Sequence, residues 1–138
     1  MSDQLTLLGV GSSAGTPVVG CECSTCKSNN KKNHRTRCSS LITLENGKNI
    51  LIDTSPDLRE QSLREELVSI DAVLFTHHHK DHVAGMDDIR AFNHKWKKDM
   101  QIYCTKFTEH ALHMEFPYIF SDNHYPGIPK VNINLIEN

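Results

Sequence analysis

The stretch that decides the fold reads Asp71-Ala72-Val73-Leu74-Phe75-Thr76-His77-His78-His79-Lys80-Asp81-His82. Its first half is a short apolar run, which predicts a buried strand over residues 71–76. Its second half, residues 77–82, is the histidine loop, which holds four histidines and one aspartate in six residues. A buried strand that leads directly into such a loop is typical of α/β proteins, which place their chemistry at the carboxyl ends of strands.

The spacing of the histidine loop suits metal ions. Extended backbone sends residues i and i+2 to the same side, so His77 and His79 are expected to grip one ion while His78 points away. If the chain then turns into a helix, Asp81 and His82 face the same cavity and are expected to hold a second ion. Imidazole and carboxylate are ligands that zinc takes at about 2 Å. Lys80, between these ligands, is expected to be solvated or to meet an anionic substrate.

The surrounding pattern predicts a layered α/β domain. Asn46-Gly47 is a strong hairpin signal between two apolar runs. Further strands are predicted over residues 5–10, 40–44, 50–52, 101–104 and 131–136. A helix is predicted to start at Ser55 as its N-cap and to run to about residue 67, with three leucines toward the core: Leu58, Leu63 and Leu67. Two more helices are predicted over residues 86–94 and 107–116. Strands that come first as a hairpin and then alternate with helices favour an α/β layered architecture.

A second candidate metal site lies in the polar, weakly periodic segment 20–37. Cys21, Cys23 and Cys26 place three thiols within six residues. Thiolates bind zinc, and structural zinc sites are closed and four-coordinate. The segment has little core of its own, so we expect a Cys-rich zinc-binding insertion ordered by the metal, against the alternative of three unbound thiols. His34 or Cys38 would serve as fourth ligand, although the spacing requires neither.

Composition limits the classes of function. The chain of 138 residues suits one domain, and its formal net charge of −2 gives no general attraction to nucleic acid or to anionic membranes. The basic residues between Lys27 and Arg37 are read as a solvated, charged loop. No secretory signal and no membrane-spanning apolar stretch is visible, so we expect the five cysteines to lie in a reducing cytoplasm.

The histidine loop resembles a known signature. Thr76-His77-His78-His79-Lys80-Asp81-His82 looks like the Thr-His-x-His-x-Asp-His motif of the metallo-β-lactamase superfamily of hydrolases. More closely, the chain resembles the branch that contains the cyclic-phosphate phosphodiesterase of phosphonate breakdown. Supporting segments lie in the expected order and cover most of the chain: residues 9–17, 20–23, 35–37, 52–59 and 85–90.

The resemblance implies an αββα sandwich of which residues 1–138 form the N-terminal half to two-thirds. It implies two divalent ions, zinc or manganese, with His77 and His79 on the first and Asp81 and His82 on the second. Asp53 would orient the histidine loop from behind the metal ligands. The implied reaction is hydrolysis of a small cyclic phosphate ester by a metal-bound hydroxide that Asp81 orients. The branch also has a structural zinc at the cysteine cluster, whose fourth ligand is a later histidine.

Two other readings stay open. One is an RNA-processing nuclease of the same superfamily, against which the cysteine cluster and the mildly acidic balance argue. The other is a truncated metal-binding remnant without catalysis, because superfamily members carry further ligands in a later half. The remaining histidines of the later chain match no ligand motif: His94, His110, His113 and His124. We expect residues 1–138 alone to dimerise through an exposed sheet face or to require a complementary C-terminal half.

Overall fold

The computed structural model describes residues 2–122 and 125–137, so His124 lies outside the described residues. Six strands form one sheet, in which their order follows the chain: β1 (Gln4–Gly9), β2 (Ser39–Thr43), β3 (Asn49–Ile52), β4 (Ala72–Leu74), β5 (Met100–Cys104) and β6 (Val131–Leu135). The first three strands pair antiparallel, and β3 to β6 pair parallel. Every predicted strand is present, including the hairpin at Asn46-Gly47.

Five α-helices connect and cover the strands: α1 (Leu58–Arg64), α2 (Lys80–Val83), α3 (Arg90–Trp96), α4 (Lys106–Glu115) and α5 (Pro117–Phe120). Two 3₁₀ turns complete the described elements, Lys31–Asn33 and Ala84–Ile89. No helix of the described residues is long and apolar enough to cross a membrane. The segment predicted as an insertion, residues 20–37, is irregular apart from the first 3₁₀ turn.

One face of the sheet carries the core. Leu41, Leu51, Val73 and Ile102 lie directly opposite one another across β2 to β5, and all four are buried. Helical side chains pack onto this row and are themselves buried: Leu58, Met86, Ile89, Leu112 and Phe116. Each such side chain contributes about 1.5–3 kcal/mol of transfer free energy. This burial sets the register of each strand, because a slip by one residue would move the strand's buried side chains to the opposite face of the sheet.

The opposite face of the sheet is uncovered. Leu5 and Leu7 on β1 are 60% and 59% exposed, and the side chains next to them on β2 to β4 are only half-buried: Ile42, Ile50, Ile52 and Leu74. The described part therefore comprises one helical layer and one sheet. These are two of the four layers of an αββα sandwich, so the predicted fold class is confirmed for this half.

The helix after β3 differs from its prediction. It begins with Asp57 as N-cap and ends at Arg64, while Ser55 Oγ accepts a hydrogen bond from the Asp57 N–H in the preceding turn. The inward placement of Leu63 is wrong, since that side chain is 62% exposed. Leu63 lies about 140° around the helix from Leu58 at 3.6 residues per turn. Gln61 points inward instead.

The helix predicted over residues 86–94 is split. A 3₁₀ turn spans Ala84–Ile89 and the α-helix follows at Arg90. The cause is visible at Gly85, where an added Cβ would collide with the carbonyl oxygen of Ser55. The chain is pressed against the end of β3 there and runs in a tighter helix until it leaves that contact.

Candidate metal centres

The carboxylate of Asp53 joins the two ends of the histidine loop. Asp53 follows β3, is 2% exposed, and has a left-handed backbone with φ of 60°, which Asp tolerates better than most residues. Its Oδ1 accepts the Thr76 N–H at 2.8 Å, and its Oδ2 accepts the Thr76 hydroxyl at 2.7 Å. Oδ2 also lies 2.7 Å from His82 Nδ1. Asp53 therefore contacts both ends of the histidine loop, which is where the predicted orienting role requires it to lie.

Backbone hydrogen bonds reinforce this junction. The Thr54 N–H donates to the His82 carbonyl at 2.8 Å, and the Gly85 N–H donates to the Thr54 carbonyl at 3.0 Å. The close approach at Gly85 is therefore part of the site, because a side chain there would push α2 away from β3. Gly85 lies in the segment 85–90 that supports the family resemblance, but the sequence alone does not predict this close contact.

The alternation expected for the loop is present. The ring centroid of His77 lies 4.6 Å from that of His79 and 4.0 Å from that of His82. The ring of His78 instead stacks edge-on against Phe107 at 5.1 Å. The rings of His79 and His82 thus both lie beside that of His77, while the ring of His78 contacts α4 and, at 5.2 Å, the ring of His79.

The hydrogen bonds select a tautomer suited to metal binding. A carboxylate only accepts, so His82 carries a proton on the Nδ1 that faces Asp53, and its Nε2 faces Asp81. The Thr76 hydroxyl donates its one proton to Asp53, so it can only accept a hydrogen bond from His77 Nδ1, 3.0 Å away. The proton of the His77 ring is therefore on Nδ1, and Nε2 is unprotonated. Burial lowers the pKa of His77, and the neighbouring imidazoles of His82 and His79 lower it further. Neutral imidazole with a bare nitrogen is the form that binds metal.

The carboxylate of Asp81 completes the argument for a cation. Its Oδ2 lies 3.2 Å from His82 Nε2. A carboxylate oxygen and an imidazole nitrogen at this spacing are able to ligate one cation together when Nε2 carries no proton. The donor set fits zinc or manganese. Within residues 2–122 and 125–137, however, the loop side chains do not bring three ligand atoms within 4.8 Å of one another. The loop is therefore an open half-site.

Lys80 is solvent-exposed, as predicted, with 68% of its side chain accessible. Its ammonium group also forms an ion pair with Glu115 at the end of α4 and lies 5.9 Å over the ring of Phe116. Its partner is 35 residues away in the sequence, and no local pattern signals the pair.

The cysteine cluster forms a compact trio. The sulfur atoms of Cys21, Cys23 and Cys26 all lie within 4.8 Å of one another. The Cys26 N–H, which donates to Cys23 Sγ at 3.5 Å, and the side chains of Cys21 and Cys26 lower the pKa of the Cys23 thiol to about 7. The Val18 N–H donates to Cys26 Sγ at 3.4 Å. Three sulfur atoms this close together, one of them with a lowered pKa, fit a zinc ion, which binds thiols as thiolates.

Neither suggested fourth ligand joins this trio in the described structure. His34 Nε2 lies 3.1 Å from the Ser28 carbonyl oxygen, so its ring is engaged with backbone. Cys38 lies toward the histidine loop instead, where desolvation and the charges of Asp53 and Asp81 raise its pKa.

The reading of residues 27–37 as solvated is wrong for Arg37. Its guanidinium donates to both oxygens of Asp57, at 2.6 and 2.9 Å, and its backbone N–H donates to Asp57 at 2.8 Å. These hydrogen bonds lower the pKa of Asp57. The Arg37–Asp57 pair thus attaches the end of the irregular segment 20–37 to the start of α1, near the histidine loop.

The half-sandwich and its histidine loop define the class as metallo-β-lactamase-like. Residues 48–138 match the family described as "Beta-lactamase superfamily domain", and the chain belongs to this family. It is similar to a solved structure described as a new diphosphatase from the PhnP family, with 37% identity and a TM-score of 0.87. The match covers 99% of this chain and 51% of that one.

Two further proteins are similar. An octanoyltransferase from Porphyromonas gingivalis is 43% identical over 127 residues, which are 92% of this chain and 25% of that protein. Zinc-bound PqqB from Methylobacterium extorquens has a TM-score of 0.77 at 22% identity over 96% of this chain and 49% of that one, which shows the fold alone. The chain thus spans between a quarter and about half of the length of these proteins.

The double variant His77→Ala/His79→Ala is expected to lose the metal of the histidine loop, because both converging imidazoles are removed. Elemental analysis of untagged protein measures the loss against His110→Ala, an exposed histidine on α4. A double variant with the metal content of the wild type would show that these residues are not ligands.

Asp53→Asn is expected to weaken metal binding in the loop about 10–100-fold, as loss of a partner behind metal ligands does. Asparagine tolerates the left-handed backbone but accepts fewer hydrogen bonds from Thr76 and His82. The measurement is the metal affinity of the loop by titration. The control is Asp99→Asn, which changes an exposed aspartate just before β5. Equal affinities for the two variants would contradict the orienting role.

Cys23→Ser is expected to lower zinc content and thermal stability together, since the trio has no other visible source of order. The matched control is Cys38→Ser, whose thiol lies outside the trio. In the full-length protein, lost turnover with unchanged stability would argue for a catalytic site rather than a structural one.

Proposed function

We propose that the chain forms one half of a metal-dependent hydrolase that acts on a small phosphate ester, most simply a cyclic one. The observation that carries the proposal is the histidine loop, in which Asp53 and Thr76 preset His77 and His82 to bind metal. The similarity to the PhnP-family diphosphatase, at 37% identity over nearly the whole chain, supports a phosphorylated substrate.

In the proposed mechanism, His77 and His79 hold one divalent ion and Asp81 and His82 hold a second, either zinc or manganese. Such ions, when bound, lower the pKa of water to about 7 and stabilise charge on a leaving oxygen. Asp81 ligates through its carboxylate and accepts a hydrogen bond from the attacking water, which orients that water toward phosphorus. Asp53 keeps His82 in one tautomer and one orientation throughout.

The uncovered sheet face supports a further proposal about partners. We infer that a second half-sandwich packs on it, either the continuation of this polypeptide or a complementary chain, with a second copy of this chain as the competing occupant. Leu5 and Leu7 present apolar surface there, and the chain spans 51% of the diphosphatase. The open half-site points the same way, because four loop ligands do not enclose two ions.

Two further proposals concern the cysteines: a structural zinc at the cysteine trio and a location in the cytoplasm. We infer one zinc at the cysteine trio, with its fourth ligand supplied from outside the described residues. All five cysteines are free thiols, which suits the reducing cytoplasm.

A second candidate function is hydrolysis of an acyl ester. It is suggested by the octanoyltransferase of Porphyromonas gingivalis, which is 43% identical over most of this chain. Metal-activated water that attacks a phosphate ester is also able to attack an acyl ester. The similarity covers only a quarter of that protein, so its transfer activity need not reside in the shared segment. Parallel assays with a phosphodiester and with p-nitrophenyl octanoate separate the two candidates.

Residues 1–138 alone are expected to show no useful phosphodiesterase activity, because under-coordinated ions hold a reacting phosphate too loosely for in-line attack. The measurement is turnover of bis(p-nitrophenyl) phosphate with added zinc or manganese, with and without a complementary C-terminal half. Turnover should appear only when both halves are present. Robust, metal-dependent turnover by a monomer of this chain alone would overturn the expectation.

A further inference from the structure

The segment from Lys80 to Asp87 carries Asp81 and His82 and is tied at both ends to one corner of the fold. We define the α4–α5 corner by its side chains Glu115, Phe116 and Tyr118. At the start of the segment, Lys80 forms its ion pair with Glu115 and lies over the ring of Phe116. At the end of the segment, Asp87 Oδ1 accepts a hydrogen bond from the Tyr118 hydroxyl at 2.7 Å.

The corner is a firm support. Phe116 is buried in the core, and so is Ile119 one turn further along α5. The inner side of the same segment is held by Thr54, through its backbone bonds with His82 and Gly85. The segment therefore lies between two supports, one at the end of β3 and one at the α4–α5 corner.

The segment needs outside support. Its helix, α2, has only four residues, and a helix this short is unstable without tertiary contacts. The inner support contacts His82 and Gly85, and Lys80 on the other side of Asp81 is held by the α4–α5 corner, so Asp81 lies between the two supports. Asp87 is also paired with Arg90 at 3.2 Å on the following helix, which directs its carboxylate toward the corner.

We propose that Glu115 and Tyr118 are positioning residues for metal binding, acting through Lys80 and Asp87 to hold Asp81 and His82 in place. This inference rests on the proposed function, in which Asp81 and His82 are ligands. Its physical basis is preorganisation: a ligand pair that is already placed loses less conformational entropy when the ion binds.

Charge alone would produce a similar effect and has to be separated from positioning. Glu115→Gln on its own leaves Lys80 uncompensated near the ion, and repulsion would then weaken binding whatever the geometry. The double variant Lys80→Gln/Glu115→Gln keeps the net charge of the pair and removes only the tie. Tyr118→Phe removes the other tie without changing charge, since the pKa of Tyr118 is raised to about 12 by burial and by its bond to Asp87.

Cobalt(II) is the probe, titrated into the full 138-residue chain. Its thiolate charge-transfer absorption reports the cysteine trio, and its d–d absorption reports the nitrogen and oxygen ligands of the loop. Matched controls are Glu60→Gln, an exposed glutamate on α1, and Tyr125→Phe, a mostly exposed tyrosine beyond α5. Thermal unfolding is measured for every variant, because exposed ion pairs contribute little to overall stability.

Tyr118→Phe and the neutral double variant are each expected to weaken cobalt binding in the loop about fivefold, the factor that one ordinary hydrogen bond is worth. Their combination should weaken it more than tenfold, with faster cobalt release and a melting temperature close to that of the controls. The charge-swapped variant Lys80→Glu/Glu115→Lys should recover part of the affinity.

The possible results distinguish failure of the proposed function from failure of the positioning role of Glu115 and Tyr118. If the wild-type loop binds no cobalt, this inference is overturned, while the proposed function is decided separately by the turnover assay with both halves present. If the wild type binds cobalt and the tie-removing variants match their controls, only the inference is overturned. Recovery of full wild-type affinity in the neutral double variant would also overturn it, since charge would then account for the effect of Glu115.

Discussion

The hydrogen bonds of the Asp53 carboxylate are the interaction on which the rest of the site depends. A buried carboxylate is costly unless it is well satisfied, and Asp53 is satisfied only when Thr76 and His82 are both in place. Those two residues stand at opposite ends of the metal-ligating stretch. The loop must therefore close on itself, and β3, β4 and α2 must meet at one point for the carboxylate to be buried at all.

This constraint links stability to chemistry. The same bonds that satisfy Asp53 fix which nitrogen of His82 carries a proton, and through the Thr76 hydroxyl they fix the same for His77. The side chains of the candidate metal site are thus positioned by ordinary folding forces in the absence of an ion. The cost of the arrangement is the crowding around Gly85 and the left-handed backbone at Asp53, both of which lie at the junction itself.

Alternation along an extended backbone serves two purposes in the histidine loop. Residues 77 and 79 converge, whereas residues 78 and 80 turn toward α4, where Phe107 and Glu115 receive them. The same period of two divides the sheet, whose covered face carries the helices and whose other face carries apolar side chains without cover. The loop lies at the edge of that open face, which agrees with a site completed by a second half-sandwich.

The sequence by itself determined the strands and the hairpin, because the strands depend on short-range periodicity and the hairpin on turn chemistry at Asn46-Gly47. It did not determine which way α1 faces. Gln61 points inward because it donates to Thr36 and Arg37, some 25 residues earlier, and Leu63 is displaced to solvent as a consequence.

Only the tertiary structure decided the partners of the charged residues. Arg37 pairs with Asp57 and Lys80 pairs with Glu115 across 20 and 35 residues of sequence. A lone charge in a sequence looks the same whether it is solvated or paired, since the partner is chosen by how strands and helices pack. The sequence therefore showed which side chains are able to bind metal, and the packing of β3, β4 and α4 decided how they are held.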